Sequence, residues 1–160
     1  MTIFALNRSH IITMLGDSAH SGIAAFLPRT EGDHLPDVPI ISIIDDDESV
    51  RTSLRSLVRS LGLDVCTFAS AEEFLNSSHQ DDTSCLITDL QMPGLSGIEL
   101  QRLLLARGRQ IPIIFVTAFP EDRIEARAMG WGALGFLSKP FETQTLIELI
   151  DKALETGRST

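Results

Sequence analysis

The sequence predicts a doubly wound α/β domain built on a five-stranded parallel sheet, (βα)5. Two observations lead there. Short, β-friendly apolar runs alternate five times with stretches whose apolar residues recur at helical spacing. The runs are near-continuous instead of alternating, as in strands covered on both faces, and the right-handed crossover rule then leaves a doubly wound sandwich as the economical topology.

Each element has its own signal. Ile40 to Ile44 is the first strand and runs into Asp45-Asp46-Asp47-Glu48. Val50, Leu54, Leu57, Val58 and Leu61 then repeat at helical spacing until Gly62 stops the helix. Val65 to Phe68 is the second strand, and Ser70-x-x-Glu73 caps a short helix holding Phe74 and Leu75. Cys85 to Thr88 is the third strand, ending on Asp89 and a Pro/Gly loop, Leu90 to Leu95. Ser96-x-x-Glu99 is a capping box ahead of Ile98, Leu100, Leu103 and Leu104. Ile113 to Thr117 is the fourth strand, with Pro120, Glu121 and Asp122 expected as the first turn of the next helix. Gly135 to Ser138 is the fifth strand and ends at Lys139-Pro140. Leu146, Leu149, Ile150, Ala153 and Leu154 form the stripe of the fifth helix.

Residues 1–38 read differently. Small apolar clusters are broken by polar residues, and 30–39 is a polar, Pro-containing linker. This segment is expected to be a disordered extension, with Val38 near the true beginning of the protein, the domain proper spanning 39–155 and a tail at 156–160. It has no basic start followed by a continuous apolar core, so it does not read as a secretory signal.

Composition narrows the function. The formal net charge of −9 argues against nucleic acid as a direct ligand, because phosphate backbones want a basic face. No apolar run approaches the ~20 residues needed to span a bilayer. Cys66 and Cys85 both fall in predicted strands, where free Cys acts as a small hydrophobe, so a reducing cytoplasm fits. His10, His20, His34 and His79 show no metal-ligand spacing.

The polar residues fall where this topology makes them meet. Asp45 and Asp46 end strand one, Asp89 strand three, Thr117 strand four and Lys139 strand five. In the order 2-1-3-4-5, strands one and three are neighbours at the switch point, where open α/β sheets bind ligands. Three converging carboxylates repel one another, and a divalent cation relieves them. Oxygen ligands without thiolate or imidazole point to a hard cation, Mg²⁺ ahead of Ca²⁺ because the ligands are few. Thr117 and Lys139 suit phosphoryl oxygens. Taken singly, each has a plainer reading: Asp89 as a turn former, Thr117 as a strand residue, Lys139 as a snorkelling surface lysine. All of them in order at carboxyl strand ends favour the site.

Ile43-Ile44-Asp45-Asp46-Asp47-Glu48-Ser49-Val50-Arg51, Thr88 to Leu100, Val116-Thr117-Ala118 and Lys139-Pro140-Phe141 resemble the receiver (CheY-like) domain of two-component response regulators. The nitrogen-fixation-regulator (FixJ-like) subfamily is the nearest match. The resemblance covers about residues 39–155 and implies a flavodoxin-like fold. Nothing resembling that subfamily's helix-turn-helix output domain follows the fifth helix, so the chain is expected to work as a single-domain regulator in phosphorelay signal transduction.

The resemblance implies that Asp89 accepts a phosphoryl group from a sensor histidine kinase or a phosphotransfer protein. Asp46 would bind Mg²⁺ directly, Asp45 would hold a metal-bound water, and Gln91 would lend its backbone carbonyl. Lys139 would pair with the phosphoryl group, with Thr117 and Ala118 binding its oxygens. Lys139-Pro140 would be a cis peptide. Phe136 matches the aromatic switch position, and Trp131, just past helix 4, reads as an exposed anchor on the partner-binding face or as a packing accommodation. They would belong to a signalling face of helix 4, strand 5 and helix 5 that meets a downstream protein, and a homodimer formed on phosphorylation is a further expected assembly. No enzyme activity is expected beyond self-phosphorylation and slow self-dephosphorylation, and neither a membrane nor nucleic acid is an expected direct partner.

Two residues depart from the family pattern: Trp131, where a small residue is usual, and Phe119, where many relatives carry a polar one. Two rival readings remain. A haloacid-dehalogenase-type phosphohydrolase would use Asp45-x-Asp47 but needs an acidic motif after the lysine, and it leaves Asp89 unexplained. A phosphorylation-independent binding module would not need Asp45, Asp46, Asp89, Thr117 and Lys139 all intact.

Overall fold

The computed structural model describes residues 37–157. The expected extension, apart from Asp37 and Val38, lies outside the described residues, as do His10, His20, His34 and the tail beyond Gly157.

Among the described residues, five strands and five α-helices alternate: β1 Ile40–Ile44, α1 Glu48–Ser60, β2 Asp64–Phe68, α2 Ala71–Asn76, β3 Thr83–Thr88, α3 Gly97–Ala106, β4 Ile113–Thr117, α4 Asp122–Gly130, β5 Gly135–Ser138 and α5 Thr143–Gly157. All strand pairs are parallel, in the order β2-β1-β3-β4-β5.

The period of two along each strand sorts its side chains between two cores. Ile41, Ile43, Cys85, Ile87, Ile114 and Val116 face one way, onto Leu54 and Val58 of α1 and Leu146, Ile150 and Ala153 of α5. Ile44, Leu86, Ile113 and Phe115 face the other way, onto Phe74 of α2, Leu100 and Leu104 of α3 and Ala128 of α4. The inner strands β1 and β4 are buried almost throughout, which requires their near-continuous apolar runs, while the edge strands β2 and β5 keep partly exposed positions. Burial raises the Cys85 thiol to about 12, so it stays protonated and packs as an apolar group.

Boundaries that differ from the sequence reading include the start of β2 at Asp64, one residue early. β3 begins at Thr83, two residues early, because the buried Thr83 hydroxyl has partners there: Ser42 Oγ at 2.7 Å and the His79 carbonyl at 2.6 Å. Pro120 and Glu121 are not in the first turn of α4. Glu121 is the N-cap, with extended backbone (φ −125°, ψ 118°), and the helix starts at Asp122. α5 continues through Thr156 and Gly157, two residues into the expected tail.

Candidate functional site

Asp45 and Asp89 are placed by backbone bonds that extend the sheet past its strands. Asp45 N–H donates to the Phe68 carbonyl at 3.2 Å, and Asp89 N–H donates to the Ile44 carbonyl at 3.0 Å. Both side chains sit at the carboxyl end of the sheet and are nearly closed to solvent, while Asp46 is exposed. Carboxylate oxygens of Asp45, Asp46 and Asp89 all lie within 4.8 Å of one another. Gly97 makes this corner possible: a Cβ on it would stand 2.2 Å from the Asp89 carbonyl oxygen, so α3 could not start so close with any other residue.

Each buried carboxylate has one oxygen tied to its own loop and one to Lys139. Asp45 Oδ1 accepts from Asp47 N–H at 2.9 Å, and Asp89 Oδ1 accepts from Gln91 N–H at 3.1 Å. The Lys139 ammonium donates to Asp45 Oδ2 at 2.9 Å and reaches Asp89 Oδ2 at 3.4 Å. Partial burial pulls the Lys139 pKa down, but the bonds and charges of Asp45 and then Asp89 outweigh it and hold the pKa above the ordinary lysine value. Lys139 N–H donates to the Thr117 carbonyl at 2.8 Å, and the following Lys139-Pro140 bond is cis, as expected.

Thr117 is fully buried at the end of β4, and its Oγ1 accepts from Phe119 N–H at 3.3 Å. Its hydroxyl proton is thus directed elsewhere. Ala118 and Gln91 are exposed beside the acidic corner, and Phe119 is 67% exposed. Phe136 is half-buried, its ring centroid 6.0 Å from that of Phe115. Trp131 caps α4 at the other end of the sheet, with the Arg127 guanidinium 5.9 Å above its ring. It is not part of the acidic corner.

Two further residues bear on the site. Asp47 turns away from it, because its Oδ1 caps α1 by accepting from Ser49 N–H at 2.8 Å and Val50 N–H at 3.4 Å. Those backbone bonds hold its carboxyl below the usual aspartate value. The Asp45-x-Asp47 pair of a phosphohydrolase is therefore not formed. Arg51, to which the sequence reading assigned no role, donates from Nη1 to the Asp45 carbonyl at 2.7 Å. A basic residue one turn into the helix that follows the acidic run is the only local signal for it.

The donor set suits a hard divalent cation: three acids offering oxygens only, converging, with two of them, Asp45 and Asp89, paired to one lysine. A family model described as the response regulator receiver domain matches residues 41–151. The chain belongs to the response regulator receiver family. Curated relatives include nodulation protein W of Bradyrhizobium diazoefficiens, 45% identical over 119 residues that cover 74% of this chain and 52% of that protein. Another is the transcriptional regulatory protein FixJ of Azorhizobium caulinodans, 39% identical over 125 residues, 78% of this chain and 58% of that protein. The solved FixJ-N structure superposes with a TM-score of 0.66 at 39% identity, covering 73% of this chain and 94% of that one. The chain spans about half the length of the curated relatives it matches. As a receiver domain of two-component signalling it has the FixJ-type neighbours and the strand order that its motifs imply.

Proposed function

We propose that this receiver domain takes a phosphoryl group onto Asp89 from the phosphohistidine of a sensor kinase or phosphotransfer protein, with Mg²⁺, and passes the signal on through a protein contact. The observation that carries this reading is Lys139 reaching both Asp45 and Asp89 inside a corner of three carboxylates. That arrangement positions and neutralises charge, which is most of what phosphoryl transfer asks of a protein.

A carboxylate oxygen of Asp89 attacks phosphorus as the phosphorus–nitrogen bond to the donor imidazole breaks, and the nitrogen keeps the electron pair. Asp46, Asp89 and the Gln91 backbone carbonyl would hold Mg²⁺, with Asp45 acting through a bound water. The cation, when bound, neutralises the carboxylates and the transferring oxygens. Lys139 is already 3.4 Å from Asp89 Oδ2 and needs little movement to pair with a new phosphoryl oxygen. The Thr117 hydroxyl and the backbone of Ala118 serve the remaining oxygens.

Drawing Thr117 toward the phosphoryl group changes the packing around Phe136, and this shifts a two-state equilibrium on the α4–β5–α5 face. The reading asks for no substrate turnover beyond self-phosphorylation and slow self-dephosphorylation. No described helix is long and apolar enough to cross a membrane.

Covalent labelling by a small phosphodonor with Mg²⁺ tests the chemistry. Labelling of the wild type that is lost in Asp89→Asn supports it, and labelling retained in Asp89→Asn refutes the assigned acceptor. Amide exchange tests the output: beryllofluoride should change protection in α4, β5 and α5, and an unchanged pattern there would end the proposed signalling route.

A further inference from the structure

The loop that follows Asp89 is fastened from outside the site. Glu72, in the first turn of α2, is exposed, and its Oε1 accepts from Leu95 N–H at 2.8 Å across 23 residues of chain. Gly94 makes room for that carboxylate. Its φ of +79° is one that L side chains rarely adopt, and a Cβ there would stand 2.5 Å from Glu72 Oε1. Met92 and Leu95 rest on the core cluster that includes Phe68, Ala71 and Phe74. At its far end the loop is closed by Gly97 N–H donating to the Leu90 carbonyl at 2.9 Å. Between these two fastenings lies Gln91, whose N–H holds Asp89 Oδ1.

We propose that Glu72 is a positioning residue of the phosphoacceptor site: its carboxylate, bonded to Leu95 N–H, sets the Gln91–Gly94 loop so that Gln91 meets both Asp89 and the cation. The inference rests on the proposed function and adds a residue on another element that acts through the loop. A loop whose tip, Pro93 and Gly94, is exposed orders poorly there unless its backbone groups are paired. Without the Glu72 bond, Leu95 N–H turns to water, and the loop loses the one side-chain bond seen between it and α2 among the described residues. Gln91 would then have to be ordered whenever the cation binds, which lowers affinity without changing any ligand.

The test compares Glu72→Ala with Glu72→Gln, which keeps an acceptor oxygen at the same reach but drops the charge. Mg²⁺ titration, thermal melting without Mg²⁺, and hydrogen exchange at Gln91 and Leu95 are measured for each. Glu72→Ala should bind Mg²⁺ roughly tenfold more weakly, the lower end of what outer partners of metal ligands contribute. It should also exchange Gln91 and Leu95 faster and melt close to the wild type. Glu72→Gln should restore both affinity and protection. Wild-type affinity in Glu72→Ala overturns the proposal, and so does an equal loss in Glu72→Gln, which would assign the effect to long-range charge. If the wild type binds no Mg²⁺, the proposed function falls instead. The exchange at Gln91 needs no metal, and unchanged exchange in Glu72→Ala then overturns the pin.

Discussion

Lys139 Nζ stands closer to Asp45 Oδ2, at 2.9 Å, than to Asp89 Oδ2, at 3.4 Å. The lysine of this receiver is therefore shared between the acid proposed to act on the cation through a water and the proposed phosphoacceptor, held mainly by the first. Such an arrangement leaves it free to follow charge as charge arrives on Asp89.

Lys139→Met should expose how the lysine is shared. It leaves Asp45 and Asp89, both nearly closed to solvent, facing each other without a counter-charge. Breaking a fully buried pair costs ~3–5 kcal/mol, and the lysine retains about a fifth of its side-chain exposure, so a loss of roughly 2 kcal/mol is expected. Mg²⁺ should recover most of it. Denaturant melts with and without Mg²⁺ check this, and a metal-independent loss would mean that repulsion between the acids is not the cause.

Mg²⁺ should stabilise the wild type because it binds the native acidic corner and not the unfolded chain. At a hundred times its dissociation constant the gain is ~2.7 kcal/mol. Asp46→Ala should lose nearly all of that gain. An equal gain in Asp46→Ala, read by thermal melting, would move the cation elsewhere.

Phe119 bears on how long the signal lasts. Hydrolysis of phospho-Asp89 needs a water aligned with phosphorus, and a polar side chain near the phosphoryl group can orient it. Phe119 cannot, and this residue, 67% exposed just past Thr117, is free to shield the group. Self-dephosphorylation should be slow, and Phe119→Asn should speed it about tenfold, equivalent to ~1.4 kcal/mol in the barrier. The check is single-turnover decay in excess Mg²⁺ after donor removal. An unchanged rate with intact Mg²⁺ affinity would show that this side chain does not gate the water.

The capping box of α3 should leave a mark on acid stability. Glu99 Oε2 accepts from Ser96 N–H at 2.9 Å, and that bond, with the Ser96 hydroxyl second, holds its carboxyl below the usual glutamate value. A depressed folded pKa gives stability that is fully present above the unfolded pKa and is lost as pH falls through the folded one. The melting-temperature gap between wild type and Glu99→Gln should thus be widest near neutrality and close below the ordinary glutamate value of 4.5. A gap that stays constant from neutral to acid pH would show that the ionised cap adds nothing.

Much of this protein was decided by local pattern and could be read in the sequence. β1 and β4 were legible as apolar runs because both faces of the sheet are buried, and Ser96-x-x-Glu99 marked the start of α3 because capping is satisfied within four residues. Asp45, Asp89, Thr117 and Lys139 were legible as strand ends, and the parallel order brings strand ends together. Other features waited on tertiary structure. Pro120 and Glu121 carry signals of a first helical turn, yet the extended backbone of Glu121 delays α4 to Asp122. Thr83 is polar and lies outside the apolar run that marks the third strand, yet Ser42 across the sheet supplies its buried hydroxyl with a partner. The bond of Arg51 to the Asp45 carbonyl, the reach of Glu72 to Leu95 and the uneven sharing of Lys139 depend on side chains meeting across elements. A one-dimensional pattern records which face a residue takes, but a contact between residues 94 positions apart is set only when the sheet order and packing fix their separation in space.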